Sequence, residues 1–134
     1  MIPSGNTALS AELEVITQPS KQHKMYFDTN RILGTCDSLD AIKQTVFKIL
    51  NTERYAYIIY SWNYGIELKD LFGQPVMYVC PEIERRVQEA LLQDDRITAV
   101  DNFEFDTSKR GVVSVSFTVH TNVGDLNEEM VVNI

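Results

Sequence analysis

The sequence predicts an α+β domain with two main helices packed on one face of a small antiparallel sheet. Two observations support this fold class: apolar residues recur with the 3.6-residue period of a helix in the middle of the chain, and with the two-residue period of a strand in its last third. A chain of 134 residues suits one hydrophobic core, so we expect a single domain over residues 1–134. Residues 1–10 are rich in Pro, Ser, Gly and Asn and predict a flexible arm.

The sheet is expected to contain an N-terminal hairpin and a C-terminal three-stranded meander. Residues 12–17 alternate weakly, and residues 24–33 indicate two short strands around an Asp-Thr-Asn turn. Alternation at Ile97–Asp106, Val112–Thr121 and 128–134, separated by turn-forming residues, predicts the meander. The apolar phase slips between Val100 and Phe103, which one extra residue at Asp101 and Asn102 explains, so we expect a β-bulge there.

Two helices are predicted between the hairpin and the meander. Asp37 or Ser38 can cap a first helix over about 38–53, because either side-chain oxygen can accept the free amides of a first turn. Its apolar face contains Leu39, Ile42, Val46, Ile49 and Leu50. Pro81 suits the first position of a second helix over about 81–93. Ion pairs from Glu82 to Arg86 and from Arg85 to Glu89 are expected on its solvent side.

An aromatic segment at residues 48–73 contains the only Trp and four of the six Tyr. Such rings bury much apolar area and keep a polar tip, so they form either the middle of a core or a contact surface; we expect the core for most of them. Residues 55–61 predict a strand, and Gly65 a turn that needs positive φ. Residues 66–72 predict two helical turns, ended by Gly73 and Pro75.

Composition excludes several classes of function. The net charge is −7 and no basic run occurs, whereas binding to nucleic acid requires clustered cations. No apolar run is long enough to span a bilayer, and the first residues lack the basic segment followed by an apolar one that is typical of a leader, so we expect a cytoplasmic protein without membrane contact. Cys36 and Cys80 are expected as free thiols, and His23 and His120 each stand alone. We therefore expect no metal and no cofactor.

Candidates for catalysis are limited to carboxylates. Glu53, Glu67 and Asp70 lie in the aromatic segment, where an acid pair could cleave a glycosidic bond. Exposed helix carboxylates explain these residues more simply, because sequence spacing does not place two acids across a cleft. Residues 94–96, Asp-Asp-Arg, fit a metal site or a salt-bridged corner, and we favour the corner.

The order of motifs resembles the baseplate wedge, or sheath-initiator, family of contractile phage tails. The motifs are the first helix, Ile-Leu-Asn-Thr at 49–52, the aromatic segment, Tyr-Gly-Ile-Glu-Leu-Lys-Asp-Leu-Phe at 64–72, the second helix, Asp-Arg-Ile at 95–97, and the meander. The resemblance covers roughly residues 24–132 and is greatest to XkdS-type proteins of defective Bacillus prophages.

This resemblance implies a structural protein and no enzyme. Its partners would be baseplate wedge proteins and the tail sheath protein, with several copies per baseplate, assembled in the host cytoplasm and then held in the virion tail. The family's wedge-contact motif, Glu-Pro-Arg, falls on Asp94, Asp95 and Arg96, with Asp95 in place of Pro. The last strand could pair with sheath subunits through its edge; the residues expected there are Met130, Val131, Val132 and Ile134. A glycan-cleaving enzyme and a free cytoplasmic adaptor remain the alternatives.

Overall fold

The computed structural model describes residues 14, 16 and 18–134. The predicted arm at 1–10 and most of the weakly alternating segment at 12–17 lie outside these residues. The described elements, in chain order, are β1 (Gln22–Tyr26), β2 (Arg31–Cys36), α1 (Ser38–Leu50), a 3₁₀ turn (Lys69–Leu71), α2 (Val76–Leu91), β3 (Ile97–Asp106), β4 (Val112–Thr121) and β5 (Gly124–Asn133). Two helices with small antiparallel sheets confirm the predicted α+β class.

The N-terminal hairpin is confirmed, but the prediction that it shares one sheet with the meander is wrong, because β1 and β2 form a two-stranded sheet of their own. It is fixed to α1 by Gln44, a buried side chain whose Oε1 accepts the amide of Met25 at 2.8 Å and whose Nε2 donates to the carbonyl of His23 at 2.7 Å. Gln22 returns the contact, because its Nε2 donates to the carbonyl of Ala41 at 2.7 Å. The buried side-chain amide of Gln44 therefore has hydrogen-bond partners for both its oxygen and its nitrogen, and these bonds join the hairpin to α1.

The meander has the strand order β3-β4-β5. Asp101 lies opposite Thr118 and Glu104 lies opposite Ser116, so β3 has one residue more than β4 across this interval. Asn102 takes the positive φ of 55° at this point, which confirms the predicted bulge. The third strand begins at Gly124, four residues earlier than the predicted 128.

The hydrophobic core lies between the sheet and both helices, which pack on the same sheet face. Alternate residues of β4 supply its floor: Val113, Val115, Phe117 and Val119. α1 follows its predicted periodicity, and Asp37 caps it, because its Oδ1 accepts the amide of Ser38 at 2.7 Å. The helix ends at Leu50, three residues before the predicted end at 53.

The predicted start of the second helix at Pro81 is wrong, because α2 begins five residues earlier at Val76. The carbonyl of Pro75 accepts the amides of Tyr78 at 2.9 Å and Val79 at 3.0 Å, which starts the helix there. Pro81 then lies inside α2 and cannot donate to the carbonyl of Met77. Met77 is 91% exposed, so water can satisfy that carbonyl.

The predicted solvent-side position of Arg86 is also wrong, although its ion pair with Glu82 is present at 3.1 Å. The guanidinium of Arg86 is only 8% exposed. It makes a bidentate contact with the carboxylate of Asp70, in which Nη2 donates to Oδ2 at 2.8 Å and Nη1 donates to Oδ1. Nη1 also donates to the carbonyl of Glu67 at 2.9 Å. Arg86 therefore binds the 66–72 segment onto α2.

Three predictions for the aromatic segment are wrong. Residues 55–61 form turns, not a strand. The rings of the segment other than Tyr64 are largely exposed, so the prediction that most of them lie in the core is wrong and the contact-surface alternative fits. Residues 66–72 contain one 3₁₀ turn instead of two helical turns. The reason is a closed loop base: the amide of Ile66 donates to the carbonyl of Thr52 at 3.0 Å, and that of Arg54 to the carbonyl of Ile66 at 3.1 Å. These bonds make residues 55–62 project as a loop.

Candidate protein-docking site

The last strand, β5, has an unpaired edge. Within the described part of the chain it pairs only with β4, in one unbroken register from Val112 opposite Asn133 to Thr121 opposite Gly124. The other edge strand, β3, is interrupted by its bulge, and Gln88 of α2 donates to the carbonyl of its Val100 at 3.2 Å. Bulges and covering groups block strand addition, so β5 is the more available edge.

The hairpin geometry decides which β5 amides point outward. Thr121 and Gly124 close a two-residue turn, so they form a hydrogen-bonded pair, and such pairs alternate along an antiparallel ladder. Even-numbered β5 residues therefore bond to β4. Odd-numbered residues direct their amides and carbonyls to the free edge: Asp125, Asn127, Glu129, Val131 and Asn133.

The side chains of β5 alternate in the same way: those of even-numbered residues face the core and those of odd-numbered residues face solvent. Val132 is buried, and Met130 and Ile134 pack against the core, while Val131 is exposed. The sequence prediction that one side of this strand lies on the core is confirmed. The main-chain groups of Val131 are thus available to another chain without disturbing the core.

An open groove of about 590 Å³ runs beside this edge. One wall is the C-terminal half of α1 with the residues that follow it, the other is β5, and residues of the loop at 66–69 also line the groove. Apolar side chains from both walls contribute to the lining, among them Val46, Leu50 and Met130. A strand added to β5 would direct every second side chain into this groove.

Glu128 lines the β5 side of the groove and was not singled out from the sequence. It follows the inward phase of β5, between Leu126 and Met130, so its carboxyl group is half-buried. Burial raises the pKa of Glu128, and the charge of Lys43 acts in the opposite direction. An acid in the apolar phase of a strand is the signal that could have identified it.

The exposed aromatic loop borders the same groove, since Ala56 and Tyr57 also line it. Its rings pack on one another: Tyr55 and Trp62 lie 6.0 Å apart, and Tyr57 and Tyr60 6.1 Å apart, between ring centroids. Trp62 is 80% exposed and Ile58 is fully exposed. Contiguous apolar side chains of this kind mark contact surfaces.

The predicted contact residues at 94–96 form a corner between α2 and β3. The carboxylate of Asp94 accepts Nε of Arg96 at 2.9 Å, Nη2 at 2.7 Å, and the Arg96 amide at 3.0 Å. Nη2 of Arg96 also donates to the hydroxyl of Thr45 at 3.2 Å. These bonds from Arg96 hold the pKa of Asp94 below its usual value. Asp95 is exposed.

The structure does not bring the two sets of predicted contact residues together. Ile97, which follows Arg96, lies opposite Thr121 at one end of the sheet, whereas Val131 lies opposite Ser114 near the other. The two rows are seven residue steps apart along β4, from Thr121 to Ser114, which corresponds to about 23 Å. The chain therefore presents two separate candidate contact regions.

Two of the three candidate catalytic acids, Glu53 and Asp70, have structural contacts through their carboxylates. Glu53 accepts the amides of Leu68 and Lys69 at 3.3 Å. Asp70 is paired with Arg86, whose hydrogen bond lowers the pKa of Asp70, whereas a general acid needs a raised pKa. Glu67 accepts a hydrogen bond from Arg86 through its main-chain carbonyl, not through its carboxylate. Within residues 14, 16 and 18–134, no group of His, Cys, Asp and Glu side chains is arranged to hold a metal ion.

Cross-strand pairing gives His120 two partners that the sequence did not suggest. On the outer sheet face its Nε2 lies 2.8 Å from Oδ1 of Asp101, and its Nδ1 lies 2.9 Å from Oδ1 of Asp125. These two hydrogen bonds raise the pKa of His120, and the bond to Asp101 has the larger effect. Cys36 and Cys80 are free thiols, as predicted. Neither described helix is long and apolar enough to cross a membrane.

The fold and the edge define a small α+β protein in which the last strand, β5, is paired with β4 on one side and, within the described residues, has a free edge on the other, beside an open groove. The family model for the contractile injection system sheath initiator matches residues 15–124. Phage-like element PBSX protein XkdS of Bacillus subtilis (strain 168) is 43% identical over 129 residues, covering 92% of this chain and 89% of the relative. The chain therefore belongs to the sheath initiator family, which confirms the resemblance, and its role is a structural one in a phage tail.

Proposed function

We propose that the chain links baseplate wedge proteins to the first ring of tail sheath and templates sheath assembly. The observation that carries this proposal is the unbroken free edge of β5 in a chain of the sheath initiator family. A sheath strand added there would continue the β3-β4-β5 sheet. Because strand addition fixes both position and direction, the first subunit would be oriented for those that follow.

The main chain supplies most of this contact. Five outward residues of β5 each present one amide and one carbonyl, and strand pairing satisfies them whatever their side chains are. The groove and the aromatic loop extend the same surface with apolar area, which adds affinity that main-chain bonds alone do not give. Each subunit in the first sheath ring would need its own template, hence several copies per baseplate.

The corner at Asp94, Asp95 and Arg96 is the proposed wedge contact. Its separation of about 23 Å from Val131 along the strands lets one molecule bind the baseplate and the sheath at once. Assembly would take place in the host cytoplasm, and the protein would then remain in the virion tail. The proposal includes no catalytic activity, because Glu53 and Asp70 are occupied by structural contacts.

A proline at Val131 tests the template. Val131→Pro removes an outward amide and leaves the β4 ladder intact, so sheath should fail to polymerise on baseplates that still contain the protein. Val131→Thr keeps the amide and should assemble sheath normally. Val132→Pro removes an amide that bonds to β4, and should instead destabilise the domain.

Electron microscopy of particles from producing cells, with thermal melts of the three purified variants, separates these outcomes. Normal sheath on baseplates that contain Val131→Pro would show that β5 is not the template. Equal melting losses for both proline variants would show that the assignment of outward and inward amides is wrong.

A further inference from the structure

Glu128 is the charged side chain that faces inward on β5. Its neighbours on that face, Leu126 and Met130, pack against the core, and the opposite groove wall contributes Val46 and Leu50. Strand positions with this phase normally carry apolar residues, because they lie on the core. A carboxyl group is therefore held where an added strand would insert side chains.

The carboxyl group is incompletely paired in the free protein. Its Oε1 is buried and has no hydrogen-bond partner among residues 14, 16 and 18–134. Lys43 contributes a favourable charge, yet no salt bridge joins it to Glu128 in that part of the chain. Buried polar atoms are almost always satisfied, so an orphaned carboxylate oxygen beside an open groove indicates a missing donor.

The ladder geometry places that donor. Glu128 forms a hydrogen-bonded pair with Phe117 of β4, so on its other side it would form a non-hydrogen-bonded pair with an antiparallel strand. In such a pair the Cα atoms are about 4.5 Å apart and the side chains are closest. The facing side chain of the added strand would enter the groove directly beside the carboxylate.

We propose that the strand which docks on β5 carries a Lys or Arg at the position facing Glu128, with apolar side chains two residues before and after it. This inference rests on the proposed addition of a sheath strand to β5. A cation would supply the missing donor and neutralise the acid, while apolar neighbours would fill the groove beside Leu50 and Met130. The net charge of −7 also favours a partner that is positively charged at the contact.

Charge reversal in the full-length protein tests this inference. Glu128→Lys should reduce the number of sheathed particles at least roughly tenfold, because it places two cations face to face. Glu128→Gln keeps the shape, removes the charge, and should give a smaller loss in the same direction. Glu104→Lys, the same charge change at an exposed site on β3, is the matched control and should leave sheath assembly near the wild-type level.

Rescue identifies the partner residue. In cells that make Glu128→Lys, each Lys and Arg of the tail sheath protein is replaced in turn by Glu, and sheathed particles are counted by electron microscopy. Restoration by one such replacement, which alone impairs assembly on the wild-type protein, supports the inference.

Suppose that both Glu128 variants assemble sheath within twofold of wild type while Val131→Pro blocks assembly. This result would contradict the proposal that a Lys or Arg faces Glu128, and it would still support β5 as the template. Normal assembly for Val131→Pro as well would overturn the template itself. If Glu128→Lys does not fold, as shown by its thermal melt, Glu128→Gln decides: wild-type particle numbers contradict the inference, and a loss supports it.

Discussion

Replacing Arg96 with Ala should destabilise the domain. The sequence resemblance predicts a contact residue, whose loss would change stability by no more than roughly 0.5 kcal/mol, as is usual at surfaces. The structure shows a guanidinium that is 22% exposed and a partner, Asp94, that is 12% exposed. The side chain makes two bonds to that carboxylate and one to Thr45 of α1. The variant would leave a largely buried acid with only its backbone contact.

The size of the effect follows from this partial burial. Exposed ion pairs contribute about 0–1 kcal/mol, while breaking a fully buried pair costs about 3–5 kcal/mol. The pair of Asp94 and Arg96 lies between these limits, so we expect a loss of about 2 kcal/mol. For a domain of this size that lowers the melting temperature by about 6–8 °C.

Thermal melts followed by circular dichroism give the measurement. Arg96→Ala, Asp94→Ala and the double variant form a cycle, and the double variant should cost at least about 1 kcal/mol less than the sum of the two single changes. The pKa of Asp94 is lowered from its ordinary value of 3.8 in the folded protein. The pair therefore stabilises fully above that value, and its contribution is lost as the pH falls through the folded-state pKa.

An unchanged melting temperature for Arg96→Ala, or strict additivity in the cycle, would show that the corner does not brace the fold. A stable variant that fails to enter baseplates would instead match the predicted wedge contact. Nη1 of Arg96 makes no hydrogen bond within the described part of the chain and is therefore a donor that a wedge protein could use. The wedge contact itself remains a prediction.

Two further predictions concern the aromatic segment and the acids. Gly65→Ala should destabilise the domain by about 2–5 kcal/mol, because a Cβ would lie 2.6 Å from the carbonyl oxygen of Thr52 at a residue with φ of 96°. Gly34→Ala, with φ of 72° and open space around it, should cost only about 1–2 kcal/mol in the same melts, and equal losses would contradict steric contact as the cause. Purified protein should not release sugars from peptidoglycan; turnover that disappears in Glu53→Gln or Glu67→Gln would contradict this.

Local patterns were sufficient where one periodicity dominated the sequence. The first helix follows from its apolar spacing and from Asp37, because a cap and an amphipathic stripe both act within a few residues. The bulge at Asp101 and Asn102 follows from a phase slip, because side chains alternate strictly along a strand. The order of motifs also indicated the family that the comparison confirms.

Local patterns failed where distant residues compete for the same backbone. Strand propensity at 55–61 predicts burial, yet the bonds of Thr52 and Arg54 to Ile66 close the loop below those rings and leave them in solvent. Pro81 fits a helix start, but Pro75 starts the helix one and a half turns earlier with its own carbonyl.

The sequence by itself determined the fold class, the strand that ends the chain and the family. Only the tertiary structure decided that Arg86 is buried against Asp70, that Arg96 is committed to Asp94, and that Oε1 of Glu128 has no hydrogen-bond partner within the described residues. The physical reason is that these are properties of pairs of residues. Burial and hydrogen bonding depend on what packs against a side chain, and the groups that pack here come from other elements of the chain.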